Sequence, residues 1–188
     1  MPYLETGFSI YVLNLVELDL KPKGGPMQKT EIILPEVKLL GIKTRTNNQN
    51  ELNYELAKIY PTMQRYFNGQ LSSKIPNSKK TGTTFCVYTD YAGDHTDDYS
   101  YFIGEEVHSF NIVPVGFECQ IIPEQVYVKF TVSGSMPNAV VDAWHRIWLM
   151  SESRLGGERS YSADFEVYDE RASNHQNIEM DIYIGINK

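Results

Sequence analysis

The chain has 188 residues, 41% of them hydrophobic and 22% charged, which is typical of a globular protein with one substantial core. Its formal net charge of −7 and the lack of a basic run disfavour direct binding to nucleic acid. No apolar stretch is long enough to span a membrane, and the N-terminus lacks the pattern of a signal peptide, so we expect a cytoplasmic protein. Aromatic residues reach 12%, with thirteen tyrosines, and tyrosine-rich surfaces often serve recognition.

Residues 1–26 precede the main pattern of the chain. Residues 8–20 end in an alternation typical of a strand, and the Pro/Gly-rich stretch 21–26 interrupts any regular element. The sequence leaves three roles open for this segment: an extra strand, a swapped arm, or an extension outside the main domain. We place the main domain at residues 27–188.

Residues 27–188 read as two similar units, about 27–110 and 111–188, each in the order strand, helix, strand, strand. The repeat is carried by short matches in the same order: Ile33-Leu34-Pro35-Glu36 with Ile121-Ile122-Pro123-Glu124, and Cys86-Val87-Tyr88 with Glu166-Val167-Tyr168. In the first unit we predict a strand at 30–42, a helix at 51–67, and strands at 84–91 and 99–107. In the second we predict a strand at 118–130, a helix after Pro137, and strands at 165–169 and 179–186.

Two such units predict an α+β fold of duplicated β-α-β-β units with pseudo-two-fold symmetry. Each half has a sheet face that a single helix cannot cover, so the halves are expected to pack together in one antiparallel sheet with a helix per half. A central groove at their junction is a favourable place for a small ligand. A fully packed seam without a cavity is the alternative.

The last two predicted strands carry a mixture of acids and tyrosines. Residues 165–169 and 179–186 are joined by a polar stretch, which favours antiparallel pairing. Alternation places Glu166 and Tyr168 on one face of their strand, and Asp181 and Tyr183 on one face of theirs. We expect these side chains, together with Glu179 on the same face as Asp181, to converge on one side of the sheet.

Other polar residues give no sign of a metal, a cofactor or a catalytic triad. The turn at 94–98 is rich in aspartate, but its spacing fits neither a calcium loop nor a zinc site, which favours a solvated hairpin turn. No histidine, serine or cysteine stands in a nucleophile motif. Cys86 and Cys119 lie in apolar, strand-like contexts and are predicted to be buried, reduced thiols.

Several short motifs of the second unit resemble those of a known family. The clearest pieces are Ile121-Ile122-Pro123-Glu124-Gln125-Val126-Tyr127, Ala143-Trp144-His145-Arg146-Ile147-Trp148, Asp164-Phe165-Glu166-Val167-Tyr168-Asp169 and Asp181-Ile182-Tyr183-Ile184. Together and in this order they resemble the GyrI-like domain, the effector-binding domain of bacterial transcription activators. The resemblance runs from about residue 31 to the end.

The resemblance implies a groove that is walled by aromatic residues, carries a buried glutamate as counter-ion, and binds small, often cationic and aromatic, ligands. It places that glutamate on Glu166 and the family's terminal acid-x-Tyr segment on Asp181 and Tyr183. Two departures are visible: Asp181 stands where glutamate is usual, and Gly185 stands where proline is usual. Residues 1–26 are too short for a helix-turn-helix domain, so the chain resembles the stand-alone type, which could assist a separate regulator protein.

The residues themselves allow both a structural and a functional interpretation. Trp144 and Trp148 lie four apart on one helix face, typical of a core pair, and at least one could wall the groove. Of the strand tyrosines we expect about half to reach the groove; they are Tyr88, Tyr101, Tyr168 and Tyr183. For Glu166 the structural alternative is a salt bridge, for instance to Arg146 or Arg159.

The leading hypothesis is therefore a module that binds a small hydrophobic cation at Glu166, linked to transcription regulation or to sequestration of drugs or toxins. One alternative is a hydrolase of small electrophilic compounds that uses Glu166 as base with Tyr183 assisting, because some stand-alone relatives are hydrolases. Another is a protein-inhibiting module, as the family's gyrase-linked name suggests.

Overall fold

The computed structural model describes residues 27–188, and the three roles left open for residues 1–26 lie outside the described residues. The strands are β1 Gln28–Leu34, β2 Val37–Thr46, β3 Thr84–Thr89, β4 Tyr99–Glu106, β5 Glu118–Ile122, β6 Gln125–Gly134, β7 Glu158–Arg159, β8 Ala163–Tyr168 and β9 Ile178–Asn187. The helices are α1 Asn48–Glu51, α2 Ile59–Asn68, α3 Asn138–Trp148 and α4 Glu152–Leu155, with short 3₁₀ helices at Leu71–Lys74 and Glu170–Ala172.

The described strands form one antiparallel sheet with a symmetric strand order. The order is β1-β6-β9-β8-β3-β4-β2-β5, with β7 on β9, so each strand except β7 has its counterpart from the other half at the mirrored position. In the centre, β3 and β8 pair with Cys86 directly opposite Glu166. Because these two residues are also equivalent in the repeat, the pseudo-two-fold axis passes between them. The predicted duplicated α+β fold is confirmed.

The proline in each repeated Pro-Glu segment divides what we predicted as one strand into two. Pro35 separates β1 from β2, and Pro123 separates β5 from β6, because proline cannot donate to a strand ladder. The first strand of each half then pairs with the other half: β1 with β6, and β5 with β2. The two halves are thus interlocked by an exchange of strands that the linear repeat does not show.

This exchange also bends the sheet. Strands β1 and β2 stand near opposite ends of the strand order, although two residues join them. The sheet therefore has to curl so that its ends approach each other. Inside the curl lies a small apolar core of Phe85, Val87, Phe102, Tyr127 and Phe165, all of them buried.

The larger core lies on the outer, helix-covered face. Helix α2 packs on β2 and β4 of the first half, and α3 packs on β6 of the second. Strand side chains alternate between the two cores, so Met180, Ile182 and Ile184 of β9 face the helices, as their spacing predicts. The central strands β3 and β8 are left between the two helices.

The predicted helix at 51–67 is wrong in its first half. Helix α1 ends at Glu51, and α2 begins only at Ile59. A continuous helix would place Pro61 in its interior, where the ring clashes with the preceding turn; in α2 the proline stands in the first turn, where it is tolerated. The buried Glu51 carboxylate then caps α2 by accepting hydrogen bonds from the amides of Lys58 at 2.9 Å and Ile59 at 3.2 Å.

Two glycines face each other where β2 meets β4. Gly41 is directly opposite Gly104, and a Cβ added to Gly41 would lie 2.0 Å from the carbonyl oxygen of Ile103. We expect Gly41→Ala to lower the free energy of unfolding by about 2–3 kcal/mol, because backbone atoms have to move apart. Chemical denaturation measures this. The matched variant Gly93→Ala, which meets only the movable Asp97 side chain, is expected to change it by less than about 1 kcal/mol. Equal effects would contradict the explanation.

Candidate ligand-binding site

Glu166 lies at the middle of the helix-covered face, on the central strand β8. Its side chain is buried, with the residue 2% exposed. One carboxylate oxygen, Oε1, accepts hydrogen bonds from the Trp144 indole at 2.6 Å and the Tyr88 hydroxyl at 3.1 Å. The other oxygen accepts one from the Tyr168 hydroxyl at 2.7 Å. Strands β3 and β8 and helix α3 each supply one of these neutral donors.

The buried carboxylate forms no ion pair within residues 27–188, so the salt bridges to Arg146 or Arg159 that we considered are not formed. Arg159 instead pairs with Asp164. Burial raises the pKa of Glu166, and the hydrogen bonds from Tyr168, Trp144 and Tyr88 oppose that rise by stabilising the ionised form. Within residues 27–188, the groups that stabilise an ionised Glu166 are therefore neutral hydrogen-bond donors.

The fold's internal symmetry explains why two tyrosines meet at one acid. Tyr88 and Tyr168 are equivalent residues of the repeat, and the axis passes beside Glu166. Both hydroxyls therefore reach the same carboxylate from opposite sides. On the first half the equivalent of Glu166 is Cys86, a buried thiol, so only one acid stands on the axis.

Two further predicted residues join this cluster through ring contacts. Tyr101, which is buried on β4, meets the Tyr88 ring edge-on with 5.5 Å between centroids. Trp148, partly exposed at the end of α3, lies 6.1 Å from the Trp144 ring. The structure thus brings six predicted residues together: Glu166, Tyr88, Tyr101, Tyr168, Trp144 and Trp148.

Asp181 and Tyr183 do not belong to this cluster, and the expectation that they share a face with Glu166 is wrong. The antiparallel pairing of β8 and β9 is as predicted, but its register sets Glu166 opposite Ile182 and Phe165 opposite Tyr183. Directly opposite residues share a face, so Tyr183 lies on the other side of the sheet.

There the Tyr183 ring stacks on Phe165 at 4.6 Å, and burial raises the pKa of Tyr183 to about 12. Asp181 accepts a hydrogen bond from Arg171 at 2.7 Å and pairs with Lys129. A catalytic pair of Glu166 and Tyr183 is excluded, because the sheet separates them.

The departure from proline at Gly185 has a structural reason. Asp164 is fully buried and accepts hydrogen bonds from the Tyr91 hydroxyl at 3.1 Å and the Gly185 amide at 3.0 Å, besides its ion pair with Arg159. A proline at 185 would remove that amide donor. Glycine at position 185 thus keeps a backbone N–H that donates to the buried carboxylate of Asp164 on the neighbouring strand β8.

Four aromatic side chains near the cluster escaped the sequence analysis: Tyr91, His95, Tyr99 and Tyr161. Tyr99 could have been found, because it alternates with Tyr101 on β4 and so shares its face. The hairpin turn that holds His95 was interpreted as solvated, yet the histidine ring is partly buried. Tyr161 lies in a turn with φ of 50°, for which the sequence carries no periodic signal.

The prediction for the cysteines is half right. Cys86 is buried, and burial raises the pKa of its thiol. Cys119 is exposed, because β5 stands at the end of the strand order and has a neighbour on one side. In the described part of the chain, no helix is both long and apolar enough to cross a membrane.

Known proteins share this architecture. Integron cassette protein VCH_CASS2, from the mobile metagenome of Vibrio cholerae, has a TM-score of 0.67 at 21% identity, over 85% of this chain and 95% of that one. SAV2435, solved bound to tetraphenylphosphonium, has a TM-score of 0.66 at 16% identity, over 86% and 94%. By sequence, YobU of Bacillus subtilis (strain 168), provisionally described as a transcriptional regulator, is 26% identical over 149 residues, or 79% of this chain and 91% of YobU.

The duplicated fold, with a buried carboxylate among aromatic side chains between its helices, is that of an effector-binding domain. The profile of Cass2, the integron-associated effector binding protein, matches residues 32–186. The chain belongs to this family, and the resemblance to bacterial effector-binding domains is confirmed.

Proposed function

We propose that this protein binds a small hydrophobic, aromatic cation at Glu166. The observation that carries the proposal is the state of the carboxylate: it is buried, ringed by three neutral donors, and without an ion pair in residues 27–188. A buried charge of this kind is costly unless it is compensated. A cationic ligand supplies that compensation, whereas a neutral ligand of the same shape does not.

The surrounding rings suit the rest of such a ligand. Tyr88, Tyr168 and Trp148 are partly exposed side chains packed against the core beside Glu166. Their π faces attract cations and their area covers apolar groups. The bound tetraphenylphosphonium of SAV2435 is a ligand of this chemical class in a protein of the same fold, which supports the proposal.

We infer that the biological role is regulatory or sequestering. The description of YobU as a transcriptional regulator supports a link to transcription, and the acidic chain argues for action through a separate regulator protein rather than by contact with DNA. Co-purification of a regulator only in the presence of a bound cation would test this link.

The binding proposal is tested by titration with tetraphenylphosphonium, with the neutral triphenylphosphine oxide as control. Trp144 and Trp148 are the two tryptophans of the chain, so intrinsic fluorescence reports directly on the site. We expect saturable quenching with the cation and a much weaker response to the neutral compound. Equal affinities would refute the role of charge, and absence of binding would refute the proposal.

The affinity for the cation is expected to depend on pH. Because burial raises the pKa of Glu166, the free protein takes up a proton there at a higher pH than an ordinary glutamate, and the protonated form lacks the charge that binds the ligand. Affinity should therefore be constant above that raised pKa and fall below it by up to about tenfold per pH unit. Dissociation constants measured from pH 8 to pH 5 test this. In Glu166→Gln, this part of the pH dependence of the affinity should be absent.

A further inference from the structure

A closed circuit of seven aromatic rings extends from Glu166 towards the hairpin between β3 and β4. Each ring centroid lies between 5.2 and 6.3 Å from the next, and the seven in order are Tyr88, Trp144, Trp148, His95, Tyr161, Tyr91 and Tyr99. Two of them, Tyr88 and Trp144, also donate to Glu166. We call this set the aromatic circuit. It extends from the buried Glu166 carboxylate to the partly exposed rings of His95 and Tyr161.

His95 is the member that closes the circuit between the two halves. Its ring lies nearly parallel to that of Trp148, with 5.8 Å between centroids and 17° between planes, and to that of Tyr161, with 6.3 Å and 13°. Its Nδ1 lies 3.3 Å from the Tyr161 hydroxyl. Trp148 and Tyr161 belong to the second half of the chain, whereas His95 comes from the first, so without this ring the circuit would be open at one end.

The hairpin is fastened at its base, which holds His95 in place. The Asn48 amide donates to the carbonyl oxygen of His95 at 2.8 Å. Asn47 donates to the Asp98 carboxylate at 2.7 Å, and Arg45 donates to the Asp98 carbonyl at 3.0 Å. These contacts come from the end of β2 and from α1. They fix the position of His95 in the hairpin.

Charged groups near the His95 ring act on its pKa in opposite directions. Burial is the main factor that lowers its pKa, and the Arg159 guanidinium, held 4.6 Å over the Tyr161 ring, lowers it further. Asp94 on the hairpin and Asp164 on β8 act in the opposite direction and do not outweigh them. The partly buried position therefore favours the neutral imidazole, which does not repel a cation bound beside it.

We propose that His95 is a specificity-determining residue of the site: in contact with the rings of Trp148 and Tyr161, it completes an aromatic circuit that receives the aryl groups of a cation whose charge is bound at Glu166. This inference rests on the proposed function. It identifies the aryl groups as the part of the ligand that the aromatic circuit recognises. Large aryl cations reach the circuit, whereas small alkyl cations contact the carboxylate and its three donors alone.

The test compares tetraphenylphosphonium with tetraethylammonium on the full chain and two variants. His95→Ala is expected to weaken binding of the aryl cation about fivefold and to leave the alkyl cation unchanged, because one ring contact is lost. His95→Phe keeps a neutral ring and should retain the affinity. The exposed His175→Ala serves as the matched control and should change neither.

Acidification gives a second readout. Because the pKa of His95 in the folded protein is lowered, the ring remains mostly neutral at the ordinary histidine value of 6.5, and its contribution decreases only as the pH falls through that lowered pKa. In a titration from pH 7.5 to pH 5 the native protein should therefore lose more affinity for tetraphenylphosphonium at the acidic end than His95→Phe, whose only remaining dependence is that of Glu166.

The outcomes separate this inference from the binding proposal. If the native chain binds tetraphenylphosphonium and Glu166→Gln weakens it, but His95→Ala binds both cations as the native chain does, the role of His95 is refuted and the proposed function stands. Equal weakening of both cations by His95→Ala would also refute selection by the circuit. If the native chain binds neither cation, the proposed function fails, and this inference with it.

Discussion

Glu166→Gln is expected to weaken tetraphenylphosphonium binding by at least about thirtyfold. Removing one partner of a buried charge pair costs about 2–5 kcal/mol, and each 1.4 kcal/mol corresponds to about tenfold in affinity. Glutamine has nearly the same shape as glutamate, and its one carbonyl oxygen can still accept from the Trp144 indole and the Tyr88 hydroxyl, so the loss reports on charge rather than on packing.

The same variant should be at least as stable as the native protein at neutral pH. Since the pKa of Glu166 is raised in the folded state, the favourable contribution of its carboxyl is present below the ordinary value of 4.5 and is lost as the pH rises through the folded value. Glutamine does not titrate, so it does not become charged in the folded protein and its contribution to stability does not fall as the pH rises. Thermal or chemical denaturation at pH 7 measures this, and a large destabilisation would mean that Glu166 serves the core instead of a ligand.

Tyr183→Phe provides the control for the site's location. Its ring lies on the opposite face, stacked on Phe165, so its hydroxyl is remote from Glu166. We expect unchanged cation affinity in this variant. Tyr168→Phe, which removes one donor from the carboxylate, should weaken binding measurably. If Tyr183→Phe weakened binding and Tyr168→Phe did not, the ligand would bind on the face of the sheet opposite Glu166.

Asp164→Asn is expected to have the largest effect on stability, about 3–5 kcal/mol. The aspartate is fully buried, and the side chain of its partner Arg159 is 10% exposed. Asparagine leaves the guanidinium charge buried without compensation, which is the costly half of breaking a buried ion pair. The hydrogen bonds from Tyr91 and the Gly185 amide are also weakened, because they lose an ionised acceptor.

Urea denaturation at pH 7 measures this loss, with Glu170→Gln as the matched control. The Lys80–Glu170 pair is also an ion pair between segments far apart in the chain, but its side chains are 59% and 76% exposed. Solvent screens such a pair, so its loss is expected to leave the urea midpoint nearly unchanged. If both variants lose similar stability, burial does not explain the strength of the Asp164 network.

Alternation within single strands was readable from the residues alone. The spacing of Met180, Ile182 and Ile184 predicts a shared apolar face, and these side chains do pack under the helices. The short repeated segments also predict two equivalent halves, and the symmetric strand order confirms them. A resemblance to effector-binding domains singled out Glu166, which no periodicity distinguishes from the other acids.

Relations between strands were decided only by tertiary structure. Asp181 and Tyr183 alternate correctly on β9, but which face of β9 coincides with that of Glu166 depends on the register, and a slip of one residue would exchange the faces. The pairing of β1 with β6 is likewise long-range, since Pro35 divides the strands locally while the partner comes from the other half.

The features that were predictable from the residues alone are local: strand alternation, helix faces, the duplicated order, and one acid singled out by its motif. The tertiary structure decided that three neutral donors from separate elements meet on Glu166 and that His95 closes the aromatic circuit from a hairpin. The reason is physical. Local patterns follow from backbone geometry, whereas contacts between distant segments follow from how the sheet pairs and curls, which no short stretch of residues encodes.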